Sequence, residues 1–172
     1  IVIKGVCSAY IYAGEGKYIQ IQGSDPTEDK LMGRVGYSVV FSQGDIRLFN
    51  VGIVMHPANR TGVYAWRGGS LYLGNVNVYA PPEGLDNAFA CASAELGSNL
   101  YVDSLELSCG YGIQLNASAA TLRGDIDITS NSYGISGRGG AAYIADRVRL
   151  AVSGTPAITM IDTASYRQLY GD

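Results

Sequence analysis

Charge is scarce in this chain: 16% of its 172 residues are charged, and 12 basic residues against 15 acidic ones leave a formal charge of −3. Without a basic excess there is no electrostatic draw toward a polyanion such as nucleic acid, and nucleic-acid binding is not expected. His56 is the single histidine and no Ser or Cys stands in a G-x-S-x-G setting, so a Ser-His-Asp triad lacks its parts. Cys7, Cys91 and Cys109 are an odd number without metal-ligand spacing. They predict neither a disulfide framework nor a zinc site, and reduced or simply buried thiols are the expectation. No metal or cofactor is expected. No apolar run approaches about 18 residues and no basic-then-apolar stretch opens the chain, which predicts neither membrane insertion nor a signal peptide. The start at Ile1 rather than Met suggests a fragment or a processed product. The length predicts one domain.

What the chain does have is glycine and tyrosine, 23 and 13 residues, and many segments in which β-branched or Leu residues alternate with polar ones. Period two, interrupted by Gly, predicts an all-β chain. The alternation repeats. Asn50-Val51-Gly52-Ile53 matches Asn75-Val76-Asn77-Val78, Ser104-Leu105-Glu106-Leu107, Asp125-Ile126-Asp127-Ile128 and Arg147-Val148-Arg149-Leu150, at spacings of 25, 29, 21 and 22 residues. A small residue before an apolar one follows each copy, at Gly62-Val63, Ala88-Phe89, Gly112-Ile113, Gly134-Ile135 and Ala157-Ile158. A third apolar segment precedes each, at Ile46-Arg47-Leu48, Leu71-Tyr72-Leu73, Leu100-Tyr101-Val102, Thr121-Leu122 and Tyr143-Ile144.

Three short strands in so short a repeat predict a coil of a parallel β-helix, which buries its apolar face only by stacking. A propeller blade needs about 40 residues, and a leucine-rich repeat needs a pattern and a helical side that do not occur. Taking Val51, Val76, Leu105, Ile126 and Val148 as inward places Ile53, Val78, Leu107, Ile128 and Leu150 inward too, followed by Met55, Ala80, Cys109, Ser130 and Val152. The next strand contributes Val63, Phe89, Ile113, Ile135 and Ile158, then Ala65, Cys91, Leu115, Gly137 and Met160. The expected organisation is an irregular entry and first coil over 1–43, regular coils over 44–163 and a cap or exit segment over 164–172, about six coils in all.

The stretches Gly69-Ser70-Leu71-Tyr72-Leu73-Gly74-Asn75-Val76-Asn77-Val78 and Tyr111-Gly112-Ile113-Gln114-Leu115-Asn116 resemble coils of the pectin-lyase-like superfamily, in particular the right-handed β-helices of bacteriophage tailspikes and tail fibres. The resemblance covers about residues 44–163. It implies a homotrimer on the virion, outside the cell, that binds bacterial surface polysaccharide and in many members cleaves it. No cluster matching the catalytic Asp, Arg or His groups of the family's lyases and polygalacturonases is recognisable.

Candidate site residues lie in the outward columns. Glu106 and Asp127 fall on adjacent coils, about 4.8 Å apart, close to the 5 to 5.5 Å of a retaining glycosidase pair. Arg147 and Arg149 on the next coil offer the plainer reading of an exposed charge ladder. Glu83 and Asp86, in the excursion from Pro81 to Asn87, are an alternative acid and base. Tyr64, Trp66, Arg67 and Tyr79 are candidates for sugar contact, beside the loop His56-Pro57-Ala58-Asn59-Arg60-Thr61. Tyr72, Tyr101, Leu122 and Ile144 form an expected outward stripe that would stack on glycan or pack against a second chain. A one-residue slip would turn Leu122 and Ile144 inward. Asn59-Arg60-Thr61 and Asn116-Ala117-Ser118 match the glycosylation sequon, a short pattern with a high chance rate.

Overall fold

The computed structural model describes residues 1–81, 90–146, 148–152 and 157–170. Among these residues there is no helix, and every strand pairing is parallel. One sheet contains β1 (Val6–Ser8), β3 (Tyr18–Gln22), β4 (Lys30–Met32), β6 (Asp45–Val54), β8 (Ser70–Tyr79), β10 (Asn99–Cys109), β12 (Ala119–Ser130), β14 (Ala142–Asp146), β15 (Val148–Val152) and β17 (Ser165–Tyr170). The other contains β2 (Ile11–Ala13), β5 (Ser38–Ser42), β7 (Thr61–Trp66), β9 (Ala90–Glu95), β11 (Tyr111–Asn116), β13 (Ile135–Arg138) and β16 (Ile158–Met160). Because the chain alternates between the two sheets and each strand pairs with its counterpart one turn later, the fold is a parallel β-solenoid of about six turns.

Stacking follows the apolar columns read from the sequence. Val51, Val76, Leu105, Ile126 and Val148 are successive register partners, as are Ile53, Val78, Leu107, Ile128 and Leu150. The first four of each set are 3% exposed or less. Each such side chain sits above its like in the next turn, so one apolar face is covered by another without any helix layer.

Three strands per coil arise because the long strands bend. Asn50, Asn75, Ser104 and Gly124 hold φ of 51°, 53°, 67° and 70°, one stacked corner of left-handed residues that splits β6, β8, β10 and β12 into two legs. Asn tolerates this region better than most residues, and here it also stacks: Asn75 Nδ2 donates to Asn50 Oδ1 at 2.9 Å. A second corner, between the sheets, carries positive φ at Arg67 and Gly68, Leu96 and Gly97, Ala117, and Gly139 and Gly140.

The corners also explain two departures from the expected register. In β12 one extra residue enters at the first corner, where Asp103 pairs with Arg123 but Leu105 pairs with Ile126. This bulge turns Leu122 inward, opposite Val102 and 1% exposed, while Thr121 takes the outward position beside Tyr101. Ile144 pairs with Thr121 and stays outward at 46% exposure, so the slip that would have turned both residues affects only Leu122. In β9 the partners of Val63 and Ala65 are Ala92 and Ala94, not Phe89 and Cys91. Cys91 instead stands level with Gly62 and Gly112, at the entry to the strand. That position is tight. A Cβ at Gly62 would lie 2.5 Å from Val78 Cγ1 and 2.7 Å from the Cys91 carbonyl oxygen. Carried in that position, Cys91 meets Cys109, and the two form a disulfide with Cα atoms 5.6 Å apart, both wholly buried. The expectation of reduced thiols is corrected for this pair; Cys7 is free and half-buried against the core. Ala88, Phe89 and Arg147 lie outside the described residues.

The first 43 residues already follow the solenoid. β3 and β4 pair with the two legs of β6, and β5 pairs with β7, so residues 18–42 make a complete turn with a loop, 23–29, inserted at the bend. Asp29 closes that loop, accepting from Gly5 N, Ser24 N and Ser24 Oγ at 2.7 Å each. Three hydrogen bonds to the ionised form, those from Ser24 first, hold its carboxyl down at about 2 from an ordinary 3.8. At the far end, β17 adds a further strand to β14.

Candidate functional site

The outward side chains of β2, β5 and β7 are aromatic. Ile11-Tyr12-Ala13, Val40-Phe41-Ser42 and Val63-Tyr64-Ala65 are in register, so Tyr12, Phe41 and Tyr64 stand side by side on the outer face. Tyr12 stacks on Phe41 at 5.6 Å between ring centroids, and Phe41 meets Tyr64 at 5.3 Å and Trp66 at 6.1 Å. Tyr37 packs on Tyr64 at 5.5 Å from the loop before β5. Tyr10, Tyr37, Phe41, Tyr64 and Trp66 line an open hollow of about 300 Å³, with Tyr12 stacked on Phe41 beside it. Tyr64 is its floor, 6% exposed, whereas Tyr10, Tyr12 and Tyr37 are about half exposed at 54%, 49% and 50%.

Along the same face the column turns polar. Tyr64 is followed by Ser93, Gln114, Ser136 and Thr159, and Trp66 by Glu95, Asn116 and Arg138. Ser93, Glu95, Gln114, Asn116, Ser136 and Arg138 line a second hollow of about 160 Å³. The two are joined by one hydrogen bond, from the Tyr64 hydroxyl to Glu95 Oε2 at 3.0 Å. Burial, then the neighbouring Glu95 carboxylate, pushes the Tyr64 phenol up from its ordinary value, so it stays a donor. From Tyr12 to Thr159 the track crosses seven strands, about 30 Å at the usual strand spacing.

Three of the four expected sugar-contact residues belong to this face. Trp66 borders the aromatic hollow, and the Arg67 guanidinium lies over its ring, 4.1 Å from the centroid. Tyr79 does not join them. It projects from the end of β8 on the other sheet, where its hydroxyl accepts from Asn77 Nδ2 at 2.7 Å and stands near the Glu106 carboxylate. Its phenol is raised, first by burial, with Glu106 adding to the shift and Asn77 opposing it. Tyr10, Tyr12, Tyr37 and Phe41 were not expected. The signal was present as an apolar-aromatic-small triplet in three successive coils, hidden by the loop that interrupts the first one.

The expected stripe on the other sheet is Tyr72, Tyr101, Thr121 and Ile144, preceded by Arg47, with Leu122 removed to the core. Tyr72 and Tyr101 separate two shallow hollows of about 310 and 290 Å³, one edged by Asp45 and Arg47, the other by Asp103, Thr121 and Arg123. Phe49 packs on Tyr72 at 5.3 Å.

Glu106 and Asp127 are register partners on adjacent strands, and both are exposed. Asp127 is engaged by the next coil: Arg149 Nε and its terminal nitrogen donate to the two carboxylate oxygens at 2.7 and 2.9 Å. This is the charge ladder in its bidentate form. Glu83 and Asp86 lie outside the described residues. Comparison with protein-family models, with curated proteins and with solved structures finds no match for the chain, which leaves the fold and its faces as the basis for a functional reading.

Proposed function

We propose that this chain is a carbohydrate-binding β-solenoid, the attachment segment of a bacteriophage tailspike or tail fibre, which holds bacterial surface polysaccharide along the outer face of its second sheet. The supporting observation is the continuity of that face, in which a row of outward rings, half exposed at Tyr12 and Tyr37, passes through Tyr64 and Trp66 into hydroxyl and amide groups. Aromatic faces stack on the C–H side of sugar rings, and the flanking polar groups supply direction, which is the division of labour a linear glycan asks of a protein. In this reading the protein sits outside the cell on the virion. Its homotrimer packs through Tyr72, Tyr101 and Ile144 on the other sheet.

Binding is tested by affinity electrophoresis of the chain in gels that contain purified bacterial surface polysaccharides. Trp66→Ala and Tyr12→Ala are each expected to weaken retardation about tenfold, roughly 1.4 kcal/mol, without lowering the melting temperature. Unchanged retardation by both variants would remove the aromatic face as the site. Light scattering tests the assembly, where a mass of three times 18.2 kDa is expected, reduced to one chain by Tyr101→Arg. An 18.2 kDa mass for the unaltered chain would end the trimer reading.

A depolymerase is the second reading, favoured by the adjacency of Glu106 and Asp127 and by the phenol of Tyr79 beside Glu106. A glycosidase acid must keep its proton near neutral pH, commonly through burial. Exposure of both carboxylates and the Arg149 clamp speak against it. New reducing ends on incubation with polysaccharide, abolished by Glu106→Gln, would establish it.

A further inference from the structure

We propose that the glycan held on the aromatic face is an acidic one, whose anionic groups are taken by Arg60, Arg67 and Arg138. This rests on the carbohydrate reading above and names the class of polymer. The chain has an excess of acidic residues, yet Glu95 is the single carboxylate lining the two joined hollows, and one of its oxygens already accepts from Tyr64. The two ion pairs among the described residues, Arg47 with Asp45 and Arg149 with Asp127, both lie on the other sheet. Arg60, Arg67 and Arg138 are exposed and have no carboxylate within ion-pair distance among the described residues.

Two of the three are positioned by rings. The Arg60 guanidinium lies 5.8 Å from the centroid of Tyr37, and that of Arg67 lies 4.1 Å from the centroid of Trp66. A guanidinium on a ring face keeps its in-plane N–H donors for a second partner, and a carboxylate, sulfate or phosphate matches that fork. Holding the side chain beforehand also lowers the ordering cost of binding. Arg138 occupies the far end of the track. It lies on the Trp66 column three strands on, about 14 Å at the usual spacing, so anionic groups recurring along a polymer can meet it and Arg67 together. On the other sheet the Arg47 beside Tyr72 is paired with Asp45, and the hollow that Arg123 edges also carries the Asp103 carboxylate.

The test uses the intact chain in gels containing alginate, hyaluronan or dextran sulfate, with dextran and hydroxyethyl cellulose as neutral polymers and poly(U) as a non-glycan polyanion. At least one acidic polysaccharide is expected to retard the chain more than either neutral one, and added salt should erase the difference. Arg67→Gln and Arg138→Gln should each weaken that retardation about threefold to tenfold with unchanged melting temperature. Equal retardation by neutral and acidic polymers would overturn the charge inference while leaving the carbohydrate reading intact. Retardation by no polysaccharide would remove both. Tightest binding to poly(U), or arginine variants that bind like the parent, would likewise overturn the proposal.

Discussion

The two halves of the solenoid carry the same inward columns and solve the problem of coil closure differently. From Tyr18 to its partners Asp45, Ser70 and Asn99, successive turns take 27, 25 and 29 residues. From Asn99 to Ala119, Ala142 and Ser165 they take 20, 23 and 23. The first two long turns leave backbone polar groups in loops, and buried polar side chains tie these down. Asn59, wholly buried, accepts from His56 N at 2.6 Å and donates to the carbonyls of Arg34 and Gly36 at 2.8 and 3.1 Å. Asp29 does the same for the loop at 23–29. The lean turns have few such plugs. They depend on tight corners and small residues, and the Cys91–Cys109 disulfide joins the last long turn to the first lean one. Among the described residues, both loops of the first two long turns are thus held by a polar side chain that replaces the missing ladder bonds.

The largest expected effect breaks what both halves share. Gly62→Val would drive a side chain into Val78 and the Cys91 backbone, and a loss above about 4 kcal/mol, read as failure to fold or a collapsed denaturation midpoint, is expected. Within the long turns, Asn59→Ala removes three hydrogen bonds made by a wholly buried side chain, costing about 3 kcal/mol in urea denaturation. For the lean half, replacing both Cys91 and Cys109 by Ala releases a loop spanning 18 residues of sequence separation and is expected to cost about 3 kcal/mol. Because both sulfurs are buried, a reductant should act on the native chain only through unfolding.

Asp29 sharpens the comparison through pH. Its carboxyl is depressed in the folded chain, so its contribution is present above pH 3.8 and is lost as pH falls toward about 2. Asp29→Asn should lower the melting temperature at pH 7 and flatten the acid limb of stability between about pH 4 and 2. The smallest effect is a gain: Ser104→Asn places a better left-handed residue above Asn75 and is expected to add about 0.5 kcal/mol. A loss at that position would show that the corner is not a stack of interchangeable left-handed residues.

Much of this was legible in the sequence, because β-branched pairs at period two reveal which face is inward. The inner columns of β6, β8 and β10 needed nothing more. Legibility failed where backbone geometry outweighed side-chain pattern. Counting four residues back from Ile126 places Leu122 outside, and the extra residue at the corner turns it inside. In β9 the alanines 90, 92 and 94 carry too little size to mark a register, so the pairing of Cys91 was misplaced by three positions. The aromatic face was half seen: Trp66 and Tyr64 stood in a regular coil, whereas Tyr12 and Phe41 stood in turns disguised by the loop at 23–29.

Burial of Asn59 bears on how the protein can be produced. Asn59-Arg60-Thr61 has the form of an oligosaccharyltransferase acceptor, yet the folded amide is sealed beneath the 34–36 segment. An N-linked sugar attached during secretion from yeast or insect cells would have to be inserted where those carbonyls lie, and such chains are expected to accumulate unclosed. Synthesis in the bacterial cytosol would avoid that trap, leaving the disulfide to be formed during or after purification.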